Sequence, residues 1–215
     1  MAQETNGQTP RVERVRGDLP QGLAERFRAV PLVAWDTETS GLDWRVDRLA
    51  LCQLSSPEIG TVLVQLEEER PGRLIDLLGE PSLTKLFHHA PFDLAFMRSS
   101  WGARAENVRC TKVASKLIHP EAPATEHSLQ RLVQTRLGVT LTKGSVRTSN
   151  WAAGDLSDEQ VRYASADVEH LPALYEALNS EIDRAGVREL YEATCDFLPY
   201  AAELEVRNIP DPFRY

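Results

Sequence analysis

Three short stretches carry the residue types that could hold a metal ion and handle a water. Asp36 and Glu38 stand one residue apart at the end of the apolar run Val33-Ala34-Trp35. In an extended strand alternate side chains share a face, so these two carboxylates can converge on one hard divalent cation without any change in backbone direction. Asp93 closes the segment His88-His89-Ala90-Pro91-Phe92-Asp93. Proline at an early helical position puts that acid in a first turn, facing the positive end of the helix dipole. Tyr163 and Asp167 are four apart, which stacks a phenol and a carboxylate on one helical face. Each stretch also has an ordinary reading. Asp-x-Glu is most often a solvated strand end, Asp93 a plain first-turn acid, and Tyr163 a core tyrosine beside a capping aspartate. His88 and His89 read equally well as core or as site residues.

The elements that must position these groups follow from the hydrophobic pattern. Leu23, Phe27 and Val30 mark a short amphipathic helix after the turn Gly17-Asp18-Leu19-Pro20. Leu32 to Asp36, Leu49 to Leu54 and Thr61 to Leu66 are apolar or β-branched runs with turn residues between them, which predicts an antiparallel meander. Helix and strand then alternate: helix over Arg73 to Leu78, strand over Leu86 to His88, helix over Pro91 to Trp101, strand over Val108 to Cys110. Beyond Thr111 the pattern is helical. Ser128 to Leu137 is amphipathic with Gly138 placed as its C-cap, and Ser157 with Gln160 forms a capping box. The helix it opens is predicted to run to about Arg184 with a kink at Pro172. The expected class is α/β, a mixed central sheet (antiparallel meander, then parallel strands) flanked by helices.

A chain of 215 residues suits a single compact domain over 13–215, with residues 1 to about 12, polar and aperiodic, as a disordered lead-in. The 24 Lys plus Arg against 32 Asp plus Glu give a net charge of −8, which argues against gripping long nucleic acid by phosphate neutralisation. A short anionic substrate bridged by cations is compatible with that charge. Three widely spaced cysteines, without CxxC spacing, read as buried thiols of a reducing cytoplasm. No run is long enough to span a membrane and no signal-peptide pattern is present, so a soluble cytoplasmic protein is expected.

In combination and in this order, Asp36-x-Glu38, Asp93 and Tyr163-xxx-Asp167 resemble the three motifs of the DEDD superfamily of 3′–5′ exonucleases, in its tyrosine-bearing branch. The histidine branch places its base five residues before the last Asp, and that position here is Arg162. Ser128-Leu129-Gln130-Arg131-Leu132, Leu137-Gly138-Val139, Lys143, Ser149 and Trp151 extend the likeness to the ribonuclease D group. Gly17-Asp18-Leu19-Pro20, Lys85-Leu86-Phe87-His88, Cys110 to Ser115 and Cys195 to Pro199 resemble its small single-domain nanoRNase C, or diribonucleotidase, enzymes. The larger ribonuclease D proteins carry C-terminal helical domains for which no length is left after Pro199.

The resemblance implies a ribonuclease H-like 3′–5′ exonuclease fold. It implies two divalent cations, Mg²⁺ or Mn²⁺, held by Asp36, Glu38, Asp93 and Asp167, with Tyr163 orienting the attacking water. It also implies short single-stranded RNA as substrate and a homo-oligomeric ring. Leu42 matches the family's base-separating wedge, with Ser40 standing where a bulkier residue is expected. Thr37 and Thr39 are placed to bond the substrate's sugar. His88 and His89 are further binding candidates, and Lys143 and Arg147 lie in a loop that reads as a phosphate contact or as a solvated surface loop. Rival readings are a general ribonuclease D-like exonuclease, a DNA 3′–5′ exonuclease, a non-catalytic nucleic-acid-binding relative, and a structural subunit of an RNA-decay assembly.

Overall fold

A strand whose residues are almost all apolar or small on both faces has to lie inside a sheet, and Leu49–Ser56, with Gln53 its one large polar side chain, is such a strand, buried along its whole length. The computed structural model describes residues 12–67, 70–141, 149–152 and 154–214. In chain order the strands are β1 (Val12–Arg16), β2 (Leu32–Thr39), β3 (Leu49–Ser56), β4 (Gly60–Gln65), β5 (Thr84–Phe87) and β6 (Val108–Cys110). They form one sheet in the order β1-β4-β3-β2-β5-β6. β2, β3 and β4 pair antiparallel as the predicted meander, and β5 and β6 add on the other side of β2 as parallel strands. This is the mixed sheet expected from the pattern, and it puts β2, with Asp36 and Glu38, at its centre.

The helices are α1 (Gln21–Arg28), α2 (Gly72–Leu78), α3 (Ala90–Trp101), α4 (Thr111–Ile118), α5 (Leu129–Leu137), α6 (Asp158–Glu169), α7 (Leu171–Ala185) and α8 (Arg188–Val206). α3 packs along α8, which also contacts β6, while α6 lies on β2, β3 and β4. The small side chain of Ala164 is fully buried in that α6 contact, together with Leu51, Leu63 and Val161. Gly138 ends α5 at φ 70°, a left-handed conformation that glycine adopts without a Cβ clash. The Ser157–Gln160 capping box is formed in both directions and fixes where α6 begins.

Two expectations change. β1 belongs to the sheet, pairing parallel with β4 from Val12 to Arg16, so the polar lead-in ends before Val12; residues 1–11 lie outside the described part. Its sequence, Val-Glu-Arg-Val-Arg, has too few apolar residues to stand out, as suits an edge strand that faces water. The long last helix is also two helices, α6 and α7, which meet at His170 rather than bending at Pro172. Pro172 cannot donate to the carbonyl of Val168 and its ring crowds it, so the break falls within the preceding turn and proline sits in the first turn of α7. Among the described residues no helix is long and apolar enough to cross a membrane, and Cys52, Cys110 and Cys195 are buried and free.

Candidate active site

β2 stays extended through Asp36, Thr37 and Glu38 and then shifts register against β3 between Glu38 and Thr39. That irregularity turns the chain into a tight loop over Ser40 to Asp47. Gly41 leaves room for Asp47 to fold against the loop, since a Cβ there would lie 2.3 Å from the Asp47 carboxylate and displace it. Asp47 in turn accepts from the Asp43 backbone N–H at 2.9 Å and from the Ser40 hydroxyl at 3.2 Å. Ser40 also accepts from the Arg48 N–H at 3.0 Å. The serine found where a bulkier residue is expected therefore ties the two ends of the loop together. The loop holds Leu42 84% exposed at the rim of a cleft of about 630 Å³.

α6 lies across β2 and brings Asp167 to the strand acids. Carboxylate oxygens of Asp36, Glu38 and Asp167 lie within 4.8 Å of one another. Asp93 is beside this trio rather than in it. It is buried in the first turn of α3 and accepts the Thr37 hydroxyl at 2.7 Å, reaching β2 at the side chain that alternates with Asp36 and Glu38. His89, just before α3, sits at φ 115°, a conformation unfavourable for a residue with a Cβ, and this turn is what delivers Asp93.

The electrostatics are those of carboxylates crowded together in a poorly solvated cleft. Burial, reinforced by Asp93, Asp167 and Glu38, holds the Asp36 carboxyl well above the usual carboxylate range. Burial likewise pushes Asp93 up to about 7, against the opposing effect of the Thr37 hydrogen bond. The Tyr163 phenol is pushed up by burial, by the charges of Asp167, Glu38 and Asp36, and by its hydrogen bond to Asp167. Its ring packs on Trp151 at 5.9 Å between centroids. An all-carboxylate donor set of this kind suits a hard divalent cation of the Mg²⁺ or Mn²⁺ type, and a bound cation is what would relieve the mutual repulsion.

Of the remaining candidates, Thr37, Thr39, Leu42, His88 and His89 all line the same cleft. The Thr37 hydroxyl is committed to Asp93, and that of Thr39 to the Gly41 carbonyl. His88 shares a 2.9 Å hydrogen bond with the Thr111 hydroxyl, which also lies 3.3 Å from the Phe87 carbonyl. Burial, with Lys112 and Lys116 nearby, keeps the His89 imidazole below its usual value and hence neutral. Lys143 and Arg147 lie outside the described residues. No sequence signal above assigns a role to Lys112, Leu129 or Gln53, which lie in or against the cleft. Lys112 and Leu129 line it, and Gln53, opposite Asp36 in the ladder, donates to its Oδ2 at 3.3 Å. A lone amide inside the apolar run Leu49 to Leu54 is the signal that could have found Gln53.

The Thr37–Asp93 bond yields a direct expectation. Thr37→Val preserves the shape but leaves a buried carboxyl without its side-chain donor, a loss of about 1.5–3 kcal/mol for a hydrogen bond to a charged group. Urea unfolding of the metal-free protein should show a lower midpoint with an unchanged m-value; an unmoved midpoint would show that the hydroxyl does not hold Asp93.

Comparison with known proteins places this geometry in context. A family model described as 3′–5′ exonuclease matches residues 17–183. Ribonuclease D of Gluconacetobacter diazotrophicus is 31% identical over 199 residues, covering 90% of this chain and 46% of that protein. The chain thus spans about half the length of the ribonuclease D proteins it matches. Brucella melitensis NrnC bound to pGG superposes with a TM-score of 0.87 at 34% identity, covering 96% of this chain and 100% of that one. The same protein with bound Mg²⁺ gives a TM-score of 0.86 at 33% identity, covering 95% and 98%.

Proposed function

The chain belongs to the 3′–5′ exonuclease family, in its ribonuclease D group and beside NrnC, and from that premise we propose that it is a metal-dependent exoribonuclease that trims short RNA to nucleoside 5′-monophosphates. The observation that carries the reading is the convergence of Asp36, Glu38 and Asp167 in a cleft that also holds Asp93 and Tyr163. Asp36, Glu38, Asp93 and Asp167 would hold two divalent ions, which when bound would supply an activated water and stabilisation of the leaving 3′ oxygen. The Tyr163 phenol, kept protonated by its surroundings, orients the water rather than taking its proton. Leu42 stacks against a base at the rim, Thr37, Thr39, His88 and His89 line the pocket for the 3′ nucleotide, and Lys143 and Arg147 contact phosphate.

Metal removal tests the cofactor. At a concentration about 100 times its dissociation constant, a bound ion adds about 2.7 kcal/mol. In a chain of this length that raises the melting temperature by about 5–11 °C. Scanning calorimetry with EDTA and then with excess Mg²⁺ or Mn²⁺ measures it, and identical melting under all conditions would remove the metal from the reading.

Support for short RNA comes from the match to NrnC along its whole length, including the pGG-bound form, and from the net charge of −8, which leaves little surface for a long strand. The expected result of an end-labelled digestion series is that kcat/KM is higher for a 5′-phosphorylated diribonucleotide than for long single-stranded RNA. Leu42→Ala should narrow the difference. Processive degradation of long RNA at the dinucleotide's rate would return the reading to a general ribonuclease D-like enzyme, and equal turnover of matched DNA would widen it to DNA. The homo-oligomer belongs to the same proposal, and light scattering on the purified chain checks it.

A further inference from the structure

We propose that Gln53 is a positioning residue for Asp36, setting the rotation of that carboxylate and thereby the metal affinity of the site. The inference rests on the reading of Asp36 as a metal ligand. Gln53 is fully buried in the middle of β3, directly opposite Asp36 in the antiparallel ladder with β2. Its Nε2 donates to Asp36 Oδ2 at 3.3 Å, while its Oε1 is buried with no hydrogen-bond partner. As a metal ligand Asp36 is ionised and its carboxylate only accepts, so in that state the N–H end of the amide is the end that faces it and the acceptor end is left without a partner.

For folding alone this is a poor choice of side chain. An unpartnered buried acceptor destabilises the fold, and an unbranched apolar residue of the same length would fill the same space in β3 without one. The amide at this position is accounted for by what its other end does. Held at Oδ2, the Asp36 carboxylate is fixed about its Cβ–Cγ bond, so it meets Glu38 and Asp167 in one orientation. Groups that orient a ligand from outside the ligand set typically change metal affinity or activity by about 10–100-fold when removed.

The test is Gln53→Met, with Gln53→Leu as a second apolar variant should the first fold poorly. Each is titrated with Mn²⁺ by calorimetry, and the melting temperature of the metal-free protein is recorded alongside. The positioning role predicts a metal-free melting temperature equal to or above wild type, an Mn²⁺ dissociation constant raised about 10–100-fold, and turnover that recovers as Mn²⁺ is increased. A merely structural glutamine predicts the reverse, a lowered metal-free melting temperature with Mn²⁺ affinity within twofold of wild type, and that result would overturn the proposal. Wild-type protein that binds no Mn²⁺ would overturn the metal reading of the site itself, which keeps the two failures apart.

Discussion

Alanine at Asp36, Glu38, Asp93 or Asp167 is expected to reduce turnover of an RNA oligomer by about 10³-fold or more while leaving the protein folded. A correctly held ion is worth several kcal/mol of transition-state charge stabilisation, and each 1.36 kcal/mol is tenfold in rate. Asp36 should have the largest effect, because it faces Asp93, Asp167 and Glu38 together. Folding should respond in the opposite sense. Asp93 has a carboxyl pKa of about 7 in the folded protein, above its unfolded value, so its contribution to stability is present below the ordinary carboxylate range and is lost as pH rises through about 7. The metal-free wild type should therefore melt at lower temperature at pH 8 than at pH 5.5, and Asp36→Ala, which removes a second carboxyl raised by burial and by its acidic neighbours, should flatten that dependence. Circular dichroism separates loss of activity from loss of fold. Near-normal turnover in any one variant would take that residue out of the site.

How legible this was in the sequence depended on whether a residue's role was local. Asp36 and Glu38 share a face because strands alternate, Tyr163 and Asp167 because helices repeat, and the capping box and Gly138 terminate helices through contacts within a few residues; all of these are periodic or nearest-neighbour facts. The antiparallel meander was readable for the same reason, since apolar runs joined by short turns leave few alternatives. What could not be read depended on pairing across the sheet. β1 earns its place only from its parallel register with β4, and Gln53 matters only because the ladder sets it opposite Asp36. The hydroxyl of Thr37 looked available to a sugar until α3 brought Asp93, 56 residues away, to within 2.7 Å of it. The Pro172 break lay where proline chemistry put it, within the turn before the ring, and only its severity, a break between α6 and α7 at His170 rather than a bend, was not readable.

Tyr163→Phe is expected to lower kcat by about 10²–10⁴-fold, the range for a positioned proton-handling group, with Mn²⁺ affinity unchanged. Phenylalanine keeps the ring that packs on Trp151 at 5.9 Å, so the cleft should keep its shape and only the hydroxyl is lost. The oxygens gathered for the ion are the carboxylates of Asp36, Glu38 and Asp167, and a protonated phenol is a poor ligand for a hard cation beside them, which is why the loss should appear in turnover and not in metal binding. The pH–rate profile distinguishes the two ways a tyrosine can act. Burial and the neighbouring Asp167, Glu38 and Asp36 push the phenol above its ordinary value, so across the working range it stays protonated and can orient a water but cannot remove its proton. The variant should then show the wild-type profile displaced downward by a constant factor. A limb of the profile that disappears in the variant would mean that the phenol itself titrates during the reaction, and a weakened Mn²⁺ titration would mean that its oxygen belongs among the metal ligands; either result would overturn the orienting role.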